Sequence, residues 1–178
     1  YSSRRQRQMC IRDSLKTIQE NVPLLSHMSA LQFREFMIDS TIHRVQKEEV
    51  IFLRNDYTNS VYSIVEGSVS ALINPDDESE RVKLKKGSFF GEMGLIAGRR
   101  RTATIVANED SFLVETPRRA MLRLINSVPG SKKVLDTAAI YRQIQTHLAP
   151  SIEKELLKDI VETATVESLS AGDILINQ

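Results

Sequence analysis

The segment from residue 42 to residue 115 constrains the fold most, because apolar and polar residues alternate there in a series of short stretches. Such alternation is typical of half-buried β-strands, and turn-forming residues separate the stretches at short intervals. The predicted strands contain Val50–Leu53, Tyr62 with Ile64, Val69 to Ile73, Val82 with Leu84, Ala103 to Ala107, and Phe112–Val114. Regular short strands of this kind predict an antiparallel barrel or sandwich.

Helical periodicity flanks this strand region on both sides. Ser29 and Gln32 form a capping box, which predicts a helix that begins near Ser29. After the strands, Thr116 and Pro117 have the character of an N-cap and a first helical residue, and Ser131 caps a longer helix that runs to residue 148. The predicted apolar stripes are Leu31, Phe33, Phe36 and Met37 in the first helix, and Val134, Ala138, Tyr141 and Leu148 in the last. The expected fold is therefore mainly β: an antiparallel, jelly-roll-like β-roll barrel with an N-terminal helix and two C-terminal helices.

Composition excludes several classes of protein. The longest apolar run is only a few residues, whereas a transmembrane helix needs roughly 18. Cys10 is the single cysteine and cannot form an internal disulfide, and His27, His43 and His147 do not have the spacing of metal ligands. The sequence also shows no nucleophile paired with a base, so we predict no catalysis.

The first fourteen residues contain a cluster of arginines, which are Arg4, Arg5, Arg7 and Arg12. A basic arm can bind nucleic acid or anionic lipid. The stretch from Arg4 to Asp13, however, resembles the translation of a sequencing-library adapter, so residues 1–14 are interpreted as a non-native tail. Without them the net charge is −2, and nucleic acid is not expected as a partner.

The helix and strand pattern of the first domain returns at an offset of 124 residues. Phe33, Phe36 and Met37 have Leu157, Ile160 and Val161 as counterparts, and the strand pattern around residues 45–52 has its counterpart at 169–176. Two domains are therefore predicted. Residues 15–148 form the first, and residues 149–178 are the truncated start of a second, similar one.

The stretch from Gly87 to Ala103 is the part of the sequence that carries chemistry. It places four glycines between two predicted strands, and residues 91–95 are able to form one helical turn. Backbone N–H groups at such a turn bind anions, and a nearby arginine offers a planar fork of donors to phosphate oxygens. Glu92 would repel a bare phosphate but accepts a hydrogen bond from a sugar hydroxyl. Together these groups predict a site for a ribose phosphate.

This stretch resembles the phosphate-binding cassette of the cyclic-nucleotide-binding domain family, which occurs in kinase regulatory subunits, gated cation channels and catabolite-activator-like regulators. The family pattern has Phe-Gly-Glu, a Leu three residues after the Glu, and Arg-(Ala/Thr)-Ala with the Arg nine residues after the Glu. Phe90-Gly91-Glu92, Leu95 and Arg101-Thr102-Ala103 match it at every position. The resemblance covers about residues 22–148, and together with the repeat at an offset of 124 residues it predicts a bacterial protein with two such domains in tandem.

The resemblance implies a role for each residue of the motif. Glu92 would take the ribose 2′-hydroxyl and Arg101 the cyclic phosphate, and in the family a threonine at the position of Thr102 often accompanies acceptance of cyclic GMP. The ligand would be cyclic AMP or cyclic GMP, with no further cofactor and no metal. The full set of predicted ligand-binding residues is Phe90, Gly91, Glu92, Met93, Leu95, Arg101, Thr102 and Ala103.

Two turns depart from the family pattern, in which glycines often precede and follow the second strand, and Gly94 stands where the family often has alanine. This chain has Lys47-Glu48-Glu49 in the first turn and Asn55 in the second. Asparagine tolerates a left-handed turn, whereas glutamate leaves the geometry of the first turn open.

The expected function is that of a cytoplasmic, allosteric sensor module that controls an effector outside this sequence, and a homodimer is one arrangement open to it. Two alternatives stay open at this point. One is a catabolite-activator-like transcription regulator with a DNA-reading helix-turn-helix. The other is a barrel of this fold that has lost nucleotide binding. The strand pattern after residue 165 favours the tandem module over the DNA-binding one.

Overall fold

Two four-stranded antiparallel sheets form the body of the first domain in the computed structural model of the chain. The structure describes residues 16–73, 81–97, 100–145, 152–164 and 170–173. The chain divides into two units, residues 1–135 and 136–178, and both sheets belong to the first. The strands are β1 (Thr41–Val45), β2 (Val50–Phe52), β3 (Ser60–Glu66), β4 (Ser68–Leu72), β5 (Arg81–Lys85), β6 (Phe89–Phe90), β7 (Thr104–Ala107) and β8 (Ser111–Pro117).

Short helices precede, interrupt and follow these strands. They are α1 (Pro23–Ser26), α2 (Ala30–Ile38), α3 (Glu92–Ala97), α4 (Arg118–Ser127), α5 (Ser131–Gln143) and α6 (Lys154–Thr163), and residues 16–21 are also helical. The capping box predicted for the first helix is confirmed, since Ser29 accepts from the Gln32 backbone and Gln32 from that of Ser29. Within the described ranges, no helix has the length and apolar character that a membrane span requires.

The strand orders are β1-β8-β3-β6 in one sheet and β2-β7-β4-β5 in the other. Every second residue of a strand faces the space between the sheets, which is why the alternating pattern predicted this architecture. The residues that meet there are Val45, Phe52, Tyr62, Ile64, Val69, Phe90, Ile105, Ala107 and Leu113. The predicted fold class, an antiparallel β-roll with flanking helices, is confirmed.

Several local predictions differ from the structure by one or two residues. β8 continues through Thr116 to Pro117, which is also the N-cap of α4, because the residue before a proline favours extended backbone. The buried apolar residues of α5 are Leu135 and Ala139, each one position beyond the predicted stripe. Leu31 is exposed, because the buried side of the nine-residue helix α2 is narrow enough to be covered by its two phenylalanines.

The two turns that lack the family's glycines keep a left-handed backbone. Glu48 has φ 70° and Asn55 has φ 72°. Neighbouring hydrogen bonds hold Glu48 there: its N–H donates to the Ala107 carbonyl at 2.8 Å, and the Gln46 N–H donates to Glu49 Oε2 at 2.8 Å. The turn at Glu48, whose geometry the sequence left open, is therefore left-handed, although glutamate disfavours this conformation.

Replacing Glu48 by glycine is expected to stabilise the domain, because glycine adopts positive φ without the cost of roughly 1 kcal/mol that other residues carry. We expect the melting temperature to rise by about 2–5 °C. Asn55→Gly is the matched control, and its rise should be smaller because asparagine tolerates this conformation. Thermal unfolding of the three proteins measures the difference, and a lower melting temperature for Glu48→Gly would contradict this account.

Candidate functional site

The candidate site lies in residues 91–103, between β6 and β7, and is called the cassette loop below. β6 pairs with β3 and buries both Phe89 and Phe90, so the beginning of the loop is anchored in the core. The chain then turns at Gly91, which has φ +87°, and α3 begins at Glu92. The helical turn predicted after residue 91 is thus present, as a six-residue helix.

Gly91 is required by space as well as by its backbone angle. A Cβ atom at this position would lie 2.5 Å from Nη1 of Arg101 and 2.9 Å from the Ser60 carbonyl oxygen. Both distances are shorter than a carbon atom tolerates. Glycine therefore allows the cassette loop to approach β3 and the arginine that lies between them.

Arg101 is buried, with 3% of its surface exposed, and its guanidinium makes three hydrogen bonds. Nη1 donates to the Gly91 carbonyl at 2.9 Å and Nη2 to the Ser60 carbonyl at 2.8 Å. Nε donates to the Thr58 hydroxyl. All three acceptors are neutral oxygens, so these bonds orient the cation without cancelling its charge.

Aromatic rings support the same guanidinium from the core side. Its central carbon lies 4.1 Å from the centre of the Phe52 ring and 6.0 Å from that of Tyr62. These distances are those of cation–π contacts. Burial lowers the pKa of Arg101 from its ordinary value, and the negative charges of nearby groups oppose that shift. Arginine stays protonated at neutral pH even so, and the site contains a partly desolvated cation.

Glu92 lies at the start of α3, immediately after the glycine whose carbonyl Arg101 contacts. Its side chain has no exposed surface. It is one of the carboxylates whose charge opposes the lowering of the Arg101 pKa. The fold therefore brings the two predicted ligand residues into one buried region, an acceptor and a cation from opposite ends of the cassette loop.

The other predicted site residues lie at different depths. Phe90 belongs to the core, where its ring stacks on Tyr62 with a centroid distance of 5.2 Å, so it supports the cassette loop from beneath. Met93 and Ala103 are half-buried and Thr102 is exposed. Leu95 belongs to α3, but its side chain lies outside the described residues.

The sequence analysis missed the segment that holds the arginine, residues 53–60. In addition to the contacts of Thr58 and Ser60, the Asn55 N–H donates to the Arg101 carbonyl at 2.8 Å, and the Arg101 N–H donates to the Asp56 carbonyl at 3.1 Å. Most of these contacts use backbone atoms, which leave no signature in the residue types. The left-handed turn at Asn55 was the single sequence signal available for this segment.

A second arginine marks the rim of the site. Arg100 is exposed, and its guanidinium lies over the ring of Tyr57, 4.6 Å from the centroid, while Nη1 donates to the Asn55 carbonyl at 3.1 Å. Consecutive arginines thus have opposite environments. Arg101 points into the domain, and Arg100 covers a surface aromatic ring.

A polar network connects the strands behind Arg101. Glu115 on β8 contacts Nε2 of His43 through Oε2 at 2.7 Å and also accepts hydrogen bonds from the side chains of Ser60 and Tyr62. Burial by itself raises the pKa of Glu115, but the hydrogen bonds outweigh it and the pKa lies below its ordinary value. Burial, helped by the negative charge of Glu115, raises the pKa of Tyr62 to about 12.

This network predicts a pH dependence of stability. Because the folded-state pKa of Glu115 lies below its unfolded value, its contribution to stability is present above the unfolded value near 4.5 and is lost as the pH falls through the folded value. Glu115→Gln should therefore lose less stability than the wild type between about pH 5 and pH 3. Urea unfolding at a series of pH values measures this, and parallel curves for the two proteins would contradict the assignment.

Comparison with known proteins gives the site its context. Residues 42–128 match the family model described as "Cyclic nucleotide-binding domain". The human cyclic nucleotide-gated channel beta-1 is 35% identical over 118 residues, which cover 61% of this chain and 9% of the channel. The cGMP-dependent protein kinase of Plasmodium berghei is 32% identical over 137 residues, which cover 74% of this chain and 15% of the kinase. The chain thus spans a small fraction of the length of these relatives.

Solved structures show the same fold. The regulatory domain of Toxoplasma gondii PKA, solved with cAMP, superimposes with a TM-score of 0.57 at 20% identity, over 78% of this chain and 51% of that one. The sensor domain of the transcriptional regulator DNR from Pseudomonas aeruginosa gives a TM-score of 0.60 at 20% identity, over 80% of this chain and 95% of that one. Through residues 42–128, the chain belongs to the cyclic nucleotide-binding domain family.

Proposed function

We propose that the first domain binds a 3′,5′-cyclic purine nucleotide, cyclic AMP or cyclic GMP, at the cassette loop and regulates a cytoplasmic effector that lies outside this sequence. In this proposal Arg101 contacts the cyclic phosphate and Glu92 accepts a hydrogen bond from the ribose 2′-hydroxyl. Gly91, Thr102 and Ala103 line the phosphate and base, and the proposed site extends over Met93 and Leu95.

The observation that carries the proposal is the environment of Arg101. A buried cation is costly unless an opposite charge or several hydrogen bonds accompany it. Here the fork of donors of the Arg101 guanidinium is held by a hydroxyl and two carbonyls, which fix its direction and leave its positive charge available for an anion. A phosphate monoanion at this position would gain a charge-assisted hydrogen bond in a region with little water.

Glu92 gives the site its preference for a nucleotide over inorganic phosphate. A carboxylate beside the anion position disfavours a free phosphate by charge repulsion, and this cost falls when a sugar hydroxyl lies between the two negative groups. The carboxylate then accepts from the hydroxyl, an interaction of about 1.5–3 kcal/mol when one partner is charged. A ribose cyclic phosphate meets both requirements at once.

The burial of both residues supports a regulatory role. With Glu92 fully buried and Arg101 nearly so, a ligand reaches them only if the cassette loop moves. A ligand shifts such an equilibrium by its difference in affinity for the two arrangements. Because α3 lies within this loop and β7 follows it, nucleotide binding is expected to move elements that an effector can sense.

Isothermal titration calorimetry with cyclic AMP and cyclic GMP tests the proposal, with linear 5′-AMP as the control for a generic anion. We expect heat of binding for at least one cyclic nucleotide and much weaker binding of the linear one, whose extra negative charge faces Glu92. Glu92→Gln should weaken cyclic nucleotide binding and reduce the discrimination against 5′-AMP. Absence of binding by both cyclic nucleotides would identify a barrel that has lost this function.

The exposed hydroxyl of Thr102 is expected to favour cyclic GMP, because a hydroxyl next to the phosphate arginine can reach the guanine amino group when the base is syn. Thr102→Ala should therefore weaken cyclic GMP binding more than cyclic AMP binding, by up to about tenfold for the loss of one hydrogen bond. Thr102→Ser, which keeps the hydroxyl, is the matched control. Equal losses for both nucleotides would exclude this role.

A further inference from the structure

We propose that residues 152–173 are the beginning of a second β-roll of the same family, a domain that the family match at residues 42–128 does not include. The proposal goes beyond the nucleotide site and does not depend on it. It rests on a helix and a turn in the second unit that repeat a helix and a turn of the first at one constant offset, 124 residues.

The helices correspond at their start. α2 begins at Ala30 after the N-cap Ser29, and α6 begins at Lys154 after the N-cap Glu153. Both N-caps are extended, with φ −65° and ψ 160° in the first and φ −63° and ψ 140° in the second. The same backbone bond closes the first turn of each, from Phe33 to Ser29 and from Leu157 to Glu153, at 2.9 Å in both.

The turns correspond in more detail than the helices. In the first unit the Gln46 N–H donates to the side chain of Glu49 at 2.8 Å, and the Glu49 N–H donates back to the Gln46 carbonyl at 3.1 Å. In the second unit Ser170 and Asp173 make the same two bonds, at 2.7 and 3.1 Å. The third residue of each turn has positive φ, 70° at Glu48 and 103° at Gly172.

The two turns also agree in the chemistry of their side chains. Each turn ends in an acidic residue whose carboxylate accepts from the N–H three positions earlier, a local bond that fixes a turn. The second turn has glycine at the left-handed position, which is the residue that position favours. In the first unit this turn connects β1 to β2.

The helices differ in their caps, since Ser29 makes a side-chain capping bond and Glu153 makes none, and in the residues that they bury. The buried residues are Phe33 and Phe36 in α2 but Leu157 and Val161 in α6. Spacings of three and four residues both keep two side chains on one face of a helix, so the two helices bury the same face with a small rotation. A helix and a turn that agree at one offset over twenty residues indicate a repeated domain.

A segment exchange in the full chain tests this inference. Residues 29–38 and 46–49 are replaced by residues 153–162 and 170–173, which puts Leu157 and Ile160 where Phe33 and Phe36 pack and Gly172 at the left-handed position of Glu48. The control exchange is shifted by one residue, with 154–163 and 171–174. It has nearly the same composition but places Lys158 in the core and moves the glycine off the left-handed position.

We expect the exchange in register to unfold cooperatively, with a melting temperature within about 10 °C of the wild type, and the shifted exchange to lose its transition. If both exchanged chains fold and have the same melting temperature, the inference is overturned. If both exchanges unfold, the turn is exchanged alone. The chain with residues 170–173 in place of 46–49 should then have a higher melting temperature than the chain with residues 171–174 there. A lower melting temperature would overturn the inference. Nucleotide titration of the wild type is a separate measurement, so failure of the proposed binding function would leave this result unaffected.

Discussion

Arg101→Ala is expected to lower cyclic nucleotide affinity about 10- to 100-fold, the largest loss that we expect from any single side chain of the cassette loop. The substitution removes a charge-assisted contact worth roughly 1.5–3 kcal/mol. It also leaves the carbonyl oxygens of Gly91 and Ser60 without the donors that now lie 2.9 and 2.8 Å away. Stability should therefore fall as well, by about 1–3 kcal/mol for the unpaired buried groups.

Two further variants separate the charge of Arg101 from its shape. Arg101→Lys keeps the charge but loses the planar fork that contacts Thr58, Gly91 and Ser60 together, so we expect an intermediate loss of affinity. Arg100→Ala removes an equal charge from the exposed neighbour that covers Tyr57. If its effect on affinity matches that of Arg101→Ala, the ligand senses only general positive charge, and the assignment of the phosphate to Arg101 is wrong.

Calorimetry at matched folded fractions is needed for this comparison, because the alanine variant is less stable. Far-UV circular dichroism gives the folded fraction at the temperature of the titration. A folded Arg101→Ala protein that binds with unchanged affinity would contradict the proposed role directly.

The sequence predicted the fold well because the core follows a simple periodicity. Alternation marked Tyr62 with Ile64 and Ile105 with Ala107, and these residues do meet between the sheets. The cassette residues were identified because Glu92 and Arg101 occur at a fixed separation within one loop. The apolar alternation and the spacing of Glu92 and Arg101 are both local in the chain, so a single sequence is enough to reveal them.

The inward direction of Arg101 could not be predicted, because its acceptors are carbonyls of Gly91 and Ser60 and any residue supplies a carbonyl. The left-handed turn at Glu48 was equally hidden, since hydrogen bonds from β7 and from Glu49 impose it against the preference of the residue. Tertiary contacts decided these features. The contacts that residues 53–60 make with Arg101 were not predicted for the same reason, since they also depend on the tertiary structure.

Gly91→Ala is expected to disable the site by a different route, because it disturbs the position of Arg101 without removing it. The new methyl group would lie 2.5 Å from Nη1 of Arg101 and 2.9 Å from the Ser60 carbonyl, so the cassette loop and β3 must separate. The positive φ adds about 1–2 kcal/mol, and the overpacking about 1–3 kcal/mol more. We expect a melting temperature at least about 10 °C lower and a loss of affinity comparable to that of Arg101→Ala.

Gly130→Ala is the matched control, since Gly130 also has positive φ, +85°, but in the part of the chain that the structure describes no atom beyond its sequence neighbours lies within 4 Å of the position its Cβ would take. This variant measures the cost of the backbone angle alone, about 1–2 kcal/mol, and should leave nucleotide affinity unchanged. The difference between the two variants isolates the close approach of the cassette loop to Arg101. Equal losses of stability, with affinity unchanged in both, would show that the contact between Gly91 and Arg101 is not what positions the guanidinium for the phosphate.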